Sequence, residues 1–258
     1  MEPVNAEPFK PGEFCWFNML TPSPKDARAF FSKLLGWSYA EIPVVGGHMV
    51  EVGGRGAGAL FDLASPQTPK GTPPLIGVMV RVESAHATAE KVKSLGGTAS
   101  PVRDIMDIGR MAVCHDPSGA QFDVWEAKKP GPRVDSRHPG APTWYETMTT
   151  DVARGKTFYE GVFGWTSTDV SPAPGMDYTI LKQGKTDVGG MMGILPRMGD
   201  IKPHWNINFA VANVDDSLAL AKELGATIPM GPHDVPNVGR FAAVVSPQGV
   251  GFLIFQWK

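Results

Sequence analysis

Carboxylates, amides and indoles at alternating positions are the groups with which this chain could do chemistry. In Trp16-Phe-Asn18 and Trp144-Tyr-Glu146 the period-2 geometry of a strand puts Trp16 with Asn18, and Trp144 with Glu146, on one face. Phe17, Met19 and Tyr145 turn to the other. Gln121, Asp123 and Trp125 form a second such row, with Phe122 and Val124 opposite, and His204, Asn206 and Asn208 form a third. Such rows suit a largely apolar pocket with a few orienting polar groups. Asn18, Asn206 and Asn208 have a second use open to them, satisfying backbone groups at sheet edges. Asp123 and Glu146 carry the stronger claim, because an inward carboxylate without a partner is costly. Brought close together, they would raise the pKa of one of them and supply a general base or proton donor.

The histidines do not have the spacing of a metal centre. His86 falls at a helix start, His115 before a turn, His138 in a linker and His233 beside a loop, while His48 starts a strand and His204 shares a face with Asn206. A divalent site needs three or four N, O or S ligands, so no metal ligands are assigned, and a divalent metal is kept only as the alternative. The two cysteines, Cys15 and Cys114, are far apart in strand-like contexts and read as small buried hydrophobes rather than as a disulfide or zinc pair. The glycine runs 45–47 and 53–58 lack a phosphate-loop pattern and read as tight turns. Ser, His and Asp occur without a nucleophile elbow, which leaves serine hydrolysis without support.

These residues sit on a duplicated frame. Trp16, Thr21, Phe30-Phe31 and Gly36-Trp37 recur as Trp144, Thr149, Phe158-Tyr159 and Gly164-Trp165 at a constant offset of 128. Later landmarks (Leu95-Gly96 with Leu224-Gly225, Gly109-Arg110 with Gly239-Arg240, Pro117-Ser-Gly119 with Pro247-Gln-Gly249) drift only to 129 and 130, as short loop insertions produce. Residues 128–141 are rich in proline, glycine and charge and read as a linker between domains at 11–127 and 142–258. Within the first copy a strand over Phe14–Leu20 precedes a helix from Ser23-Pro24, with Ala27, Phe30, Phe31, Leu34 and Leu35 at helical spacing. Strands follow near Trp37–Ile42, Met49–Val52 and Ala57–Leu63. The order then repeats: strand Ile76–Val82, helix His86–Leu95, and strands near Thr98–Val102, Arg110–His115 and Gln121–Glu126. Each copy is thus two β-α-β-β-β units.

At 258 residues the chain exceeds the usual size of one hydrophobic core. With 24 Lys+Arg against 26 Asp+Glu and no like-charge run, it offers no footprint for nucleic acid or an anionic membrane surface. The N-terminal run MEPVNAEPFKPGEF has no basic start followed by an apolar stretch, and no segment reaches a membrane span of ~18 apolar residues. The expected setting is the cytoplasm, the expected partner a small molecule, and the expected state a monomer or homodimer.

The order of elements, with Phe158-Tyr159, Val162-Phe-Gly-Trp165 and Asp116-Pro-Ser-Gly119, resembles the vicinal oxygen chelate superfamily of glyoxalase I, bleomycin-resistance proteins and extradiol dioxygenases. The second closing turn departs from the pattern as Ser246-Pro-Gln-Gly249. The resemblance implies an α+β fold of two tandem glyoxalase-like domains, each a pair of βαβββ units forming a curved, cup-shaped sheet with helices on its convex side. It also implies where metal-using members hold their ligands. Those positions fall on Trp16 and Trp144, near Gly77 and Asn206, near Leu60 and Met191, and on Asp123 and Leu253. Tryptophan has no lone pair for a metal, and only Asp123 remains as a ligand type. The implied function is a cup-shaped pocket that binds a small metabolite or antibiotic without the usual metal. The alternative is a lyase, isomerase or dioxygenase-like enzyme using Asp123 and Glu146 or a nonstandard metal site. In either reading Trp16, Asn18, Trp125, Trp144, His204, Asn206 and Asn208 line the pocket.

Overall fold

A computed structural model of the chain describes residues 8–43, 46–66, 68–172 and 176–258. Residues 1–7 of the N-terminal run and Val45 of the first glycine-rich turn lie outside the described residues. The first copy runs β1 (Phe14–Thr21), α1 (Pro24–Leu35), β2 (Ser38–Ile42), β3 (Gly47–Val52), β4 (Arg55–Asp62), β5 (Leu75–Arg81), α2 (Ala85–Ser94), β6 (Thr98–Ala99), β7 (Arg103–Ile105), β8 (Gly109–His115) and β9 (Gln121–Ala127). The second runs β10 (Pro142–Thr149), α3 (Val152–Phe163), β11 (Thr166–Val170), β12 (Tyr178–Gln183), β13 (Thr186–Gly193), a 3-10 turn at Pro196–Met198, β14 (His204–Ala210), α4 (Val214–Glu223), β15 (Thr227–Val235), β16 (Gly239–Val245) and β17 (Gly251–Trp257). The fold is α+β, two βαβββ units per copy.

Local chemistry sets the ends of these elements. Pro24 starts α1, where its missing N–H costs nothing. Ser84, Asp151 and Asn213 cap α2, α3 and α4, each side chain accepting from the backbone N–H three residues on. Gly36 and Gly164 end α1 and α3 at φ 69° and 71°, a left-handed conformation that glycine adopts without strain. One expected strand, Thr98–Val102, is broken into β6 and β7. Pro101 lies in the gap, where it has no N–H for the ladder. The glycines at 53 and 54 make the β3–β4 turn at φ 57° and 75°.

Hydrogen-bonded strand order is β2-β3-β4-β1-β5-β9-β8-β6, with β7 on β8, in one sheet, and β11-β12-β13-β10-β14-β17-β16-β15 in the other. Within each βαβββ unit the first strand pairs in parallel with the last: Asn18 with Ala59, Met79 with Asp123, Glu146 with Gly190, and Asn208 with Leu253. That register decides which side chains share a face with the candidate residues.

By contacts the chain forms two compact units, each drawing on both copies. The first takes the chain up to Trp16, Gly77–Gly131 and Trp144–Asn206; the second takes Phe17–Ile76, Pro132–Thr143 and Ile207–Lys258. The core of the first is aromatic. Tyr159, Trp165 and Phe122 are almost fully buried, Phe122 meets Phe158, Tyr159 and Phe163 edge-on, and Phe14 stacks on Tyr145 with ring centres 4.0 Å apart. The core of the second is built on Phe17, Phe31, Trp37, Phe209 and Phe252. In the first unit Trp165 Nε1 donates to the Gly12 carbonyl at 2.9 Å, and in the second Trp37 Nε1 donates to the Gly140 carbonyl at 2.8 Å. Gly12 and Gly140 are equivalent in the repeat, as are Trp37 and Trp165. Each buried indole therefore secures the chain just ahead of the other copy's first strand.

Candidate functional site

In β10 the alternation holds. Tyr145 stacks on Phe14, and Thr147 is fully buried on the same, helix-facing side. Trp144 and Glu146 therefore face away from the helices. Glu146 pairs with Gly190 of β13, and Gly190 pairs with Ile180 of β12. Tyr178 lies two residues before Ile180 on the same face, and its ring covers Gly190. A Cβ at position 190 would lie 1.9 Å from the Tyr178 hydroxyl oxygen. A glycine inside a strand here marks close approach by an aromatic ring.

The polar tips of these residues form a directed chain. Trp144 Nε1 donates to Tyr178 Oη at 2.8 Å, and the Tyr178 hydroxyl bonds the Glu146 carboxyl. An indole can only donate, so Tyr178 accepts from Trp144 and passes its own proton toward Glu146. Burial pushes the Glu146 pKa up, partly opposed by the Tyr178 hydrogen bond. Burial and the neighbouring Glu146 push Tyr178 well above the usual phenol range. Tyr178 is buried, whereas Trp144 and Glu146 keep some solvent-accessible surface.

The other candidates are placed as follows. Asp123 is 3 % exposed on β9 beside Met79. Its neighbours Phe122 and Val124 are fully buried on the opposite face. Trp125 shares the Asp123 face and covers Gly109, where a Cβ would come within 2.4 Å of its ring. Trp16 is half-buried in the first unit and Asn18, paired with Ala59, is half-buried in the second. His204, Asn206 and Asn208 alternate with the buried Trp205, Ile207 and Phe209. His204 Nδ1 is spent on the Lys202 carbonyl at 2.7 Å. Asn208 is buried in the second unit, while His204 and Asn206 belong to the first.

Glu146 and Asp123 belong to the same compact unit. They stand on strands of different sheets, β10 and β9, and the groups that shift Glu146 are its burial and Tyr178. What the structure adds beside Glu146 is a phenol and an indole, Tyr178 and Trp144. Tyr178 is the residue sequence reasoning missed. Its signal was Gly189-Gly190 inside a strand, two positions that leave room for a neighbour's ring.

The ligand positions implied by the resemblance need one correction. Leu60 and Met191 are fully buried toward the helices, Met191 against Gly155 of α3. The register puts Ala59 and Phe61, and Gly190 and Met192, on the Asn18 and Glu146 faces instead, a slip of one residue that inverts the face. His48 pairs with the buried Leu60 and so also faces the helices; burial, then Arg28, lowers its pKa. Trp16, Trp144, Gly77, Asn206 and Leu253 supply no strong transition-metal donor. Among the described residues no three His, Cys, Asp or Glu side chains group so as to hold a metal. The donor set does not fit a divalent metal centre of the usual kind.

The two copies differ on this face. Gly47 occupies the register position of Tyr178, Asn18 that of Glu146 and Phe61 that of Met192. In the first copy the Phe61 ring covers Gly47, where a Cβ would lie 2.4 Å from it. Both copies thus lay an aromatic ring over a glycine, from opposite strands, and only the second gives that ring a hydroxyl and a carboxyl partner.

Similarity to known proteins runs the length of the chain. A "Putative glyoxylase CFP32" of Mycobacterium tuberculosis is 33% identical over 253 residues, covering 96% of each chain. The anthracycline biosynthesis protein DauV of Streptomyces sp. (strain C5) is 30% identical over 265 residues, covering 97% of this chain and 95% of its own. Among solved structures, the 2,2',3-trihydroxybiphenyl 1,2-dioxygenase of Sphingomonas wittichii aligns with a TM-score of 0.67 at 13% identity, over 96% of this chain and 91% of that one. The Mn(II)-bound glyoxalase of Novosphingobium aromaticivorans aligns at 0.65 and 16% identity, over 96% and 82%. At these identities the structural likeness is one of fold. The sequence profile of one family matches twice, over residues 14–124 and 142–254, and the chain accordingly belongs to the Glyoxalase/Bleomycin resistance protein/Dioxygenase superfamily.

Proposed function

We propose that this protein binds a small organic molecule on the helix-free face of its second copy, at Trp144, Glu146 and Tyr178, without a divalent metal. The observation that carries the reading is the directed chain from Trp144 through Tyr178 to Glu146, standing where metal-using relatives are expected to place their first ligand. A tryptophan there forecloses coordination, and the same indole is spent on orienting a phenol. In this reading Asn206 and His204 border the site, the domains span 11–127 and 142–258, and residues 128–141 join them. Trp16, Asp123 and Trp125 lie in the same compact unit as Glu146, and Asn18 in the other. Two kinds of relative support a small-molecule role, one described as a glyoxylase and one as an anthracycline biosynthesis protein.

A second reading is favoured by one feature, the raised pKa of Glu146. A carboxyl whose protonated form burial favours is equipped to transfer a proton, and the protein would then be a lyase, isomerase or dioxygenase-like enzyme. Elemental analysis of untagged protein, with melting temperatures compared after chelation and after Mn(II), Ni(II), Zn(II) and Fe(II), separates the readings. No bound metal and no shift are expected. A stoichiometric metal that raises the melting temperature would overturn the metal-free reading and put the enzyme first. Among the described residues no helix is long and apolar enough to cross a membrane.

A further inference from the structure

We propose that the first copy holds a separate site for the carboxylate of a small molecule, among Arg28 of α1, Tyr39 of β2 and His48 of β3. The site goes beyond the reading at Glu146 and does not depend on it. Its three residues belong to the other compact unit, on the helix side of their sheet.

Arg28 Nε, Tyr39 Oη and His48 Nδ1 are all buried, and none has a hydrogen-bond partner among the described residues. Buried polar groups are nearly always partnered, so three orphans in one place mark a missing acceptor. The guanidinium carbon of Arg28 lies 5.9 Å from the centre of the Tyr39 ring. Glu41 pairs with His48 and Tyr39 with Val50, which puts Tyr39, Glu41 and His48 on one sheet face, with Tyr39 and His48 on a diagonal. All three orphans can donate: the guanidinium and the phenol as they stand, the imidazole as its Nδ1–H tautomer. Glu41 is exposed, and neither it nor Arg28 makes an ion pair among the described residues.

The internal repeat identifies the missing acceptor. At the offset of 128, Arg28 and Glu41 correspond to Lys156 and Asp169. The cross-strand pair Glu41–His48 matches Asp169–Thr179, so His48 corresponds to Thr179. In the second copy these residues close on one another: Lys156 Nζ donates to Asp169 Oδ1, and Thr179 Oγ1 donates to the same oxygen at 2.7 Å. A carboxylate oxygen is therefore what these positions converge on. In the first copy the acidic residue is one methylene longer and stays in solvent, while Tyr39, in place of Ser167, adds a third donor. The planar fork of a guanidinium also matches the two oxygens of a carboxylate, which an ammonium does not. Strand β2 is at the edge of its sheet and the three side chains are half-buried. A ligand reaches them from that edge when the long Arg28 side chain turns aside.

Charge gives the site a pH dependence. The groups facing His48 are Arg28 from α1, Tyr39 and Glu41 from β2, and the apolar Leu60 from β4. Arg28 and Glu41 offset each other, so a bound carboxylate adds a negative charge that a proton on His48 balances. Burial, then Arg28, lowers the His48 pKa in the free protein. A carboxylate beside the ring raises it, and by linkage the carboxylate binds more tightly as pH falls.

Acetate, acetamide and inorganic phosphate test this, the anions exchanged for chloride at constant ionic strength. Each is titrated into the full chain while the His48 ring signals, assigned with His48→Gln, are followed by nuclear magnetic resonance. Acetate is expected to saturate and to raise the His48 pKa, acetamide to do neither, and phosphate to bind more weakly than acetate. Arg28→Gln and Tyr39→Phe should each weaken acetate about tenfold, the worth of one hydrogen bond to a charged group. Glu41→Asp, which gives the first copy the reach of Asp169, should close the site on itself and abolish acetate binding. Glu41→Gln, which removes the competing charge, should strengthen it. Position 41 is exposed, so both Glu41 variants are expected to melt as the wild type does.

No saturable effect of acetate, an equal effect of acetamide, phosphate binding tighter than acetate, acetate affinity indifferent to pH, or wild-type acetate binding in Arg28→Gln or Glu41→Asp would each overturn the proposal. Those results would leave the reading at Glu146 standing. That reading fails separately, on a stoichiometric metal or on small molecules whose binding is indifferent to Tyr178→Phe.

Discussion

The Tyr178 hydroxyl lies 1.9 Å from where a Cβ on Gly190 would be. One residue with no side chain is thus what lets a phenol reach Trp144 and Glu146. Gly190→Ala must push the ring away and break the hydrogen bond from Trp144. Overpacking of this kind costs about 1–3 kcal/mol, and small-molecule binding is expected to weaken together with stability. Tyr178→Phe separates the two, losing the hydroxyl while keeping the packing. A urea titration and a near-ultraviolet spectrum of the tryptophans check both variants; a Gly190→Ala protein with unchanged spectrum and midpoint would refute the geometry.

Glu146 gives stability a pH dependence of defined sign. Its folded pKa is raised above the ordinary value of 4.5, so between those two values the native state holds a proton that the unfolded state has lost. Stability therefore falls as pH climbs through that window, at up to ~1.4 kcal/mol per pH unit, and levels off above it. Glu146→Gln removes this dependence. The gap between variant and wild type should widen with pH from mildly acidic conditions upward; a constant gap would show that Glu146 titrates normally.

A second polar chain in the same unit is structural. Tyr159 donates to Asp116 Oδ2 at 3.0 Å and accepts from Trp205 Nε1 at 2.9 Å, while Asp116 Oδ1 accepts from the backbone of Ser118 and Ala120. Tyr159→Phe strands a buried indole N–H and a carboxylate oxygen. The expected loss is about 2–4 kcal/mol, read as a lower urea midpoint with an unchanged slope. Binding at Glu146 should persist under native conditions.

Burial, opposed by Arg81, raises the Cys15 thiol to about 12, and burial followed by Asp123 raises Cys114 to about 12. At about pH 8 neither carries appreciable thiolate. Cys114 is buried and Cys15 half-buried, so labelling of Cys114 by a thiol-specific reagent should follow the unfolding rate, and Cys15 should react earlier but slowly for want of thiolate. Rapid labelling of the native protein at Cys114 would contradict its burial on β8.

Much of this molecule was legible in its sequence. The constant offset of 128 between Trp16 and Trp144, and between Trp37 and Trp165, identified the duplication. Apolar spacing and helix-ending glycines located the helices. Period-2 alternation put Trp144 with Glu146, and Asn206 with Asn208, on single strand faces, because side-chain direction within a strand is a local property.

Tertiary structure decided the rest, for a physical reason. Strand register is a relationship between distant segments, and one residue of slip inverts a face; this moved Leu60 and Met191 to the helix side and brought Ala59 and Gly190 beside Asn18 and Glu146. Tyr178, 32 residues beyond Glu146 in the chain, becomes its partner only through the β10–β13–β12 ladder. Nothing local to Gly12 or Gly140 announces that a tryptophan from the other copy will bind its carbonyl. Composition and periodicity fix what each segment is; which proton reaches which oxygen is settled by the pairing of strands that the sequence keeps far apart.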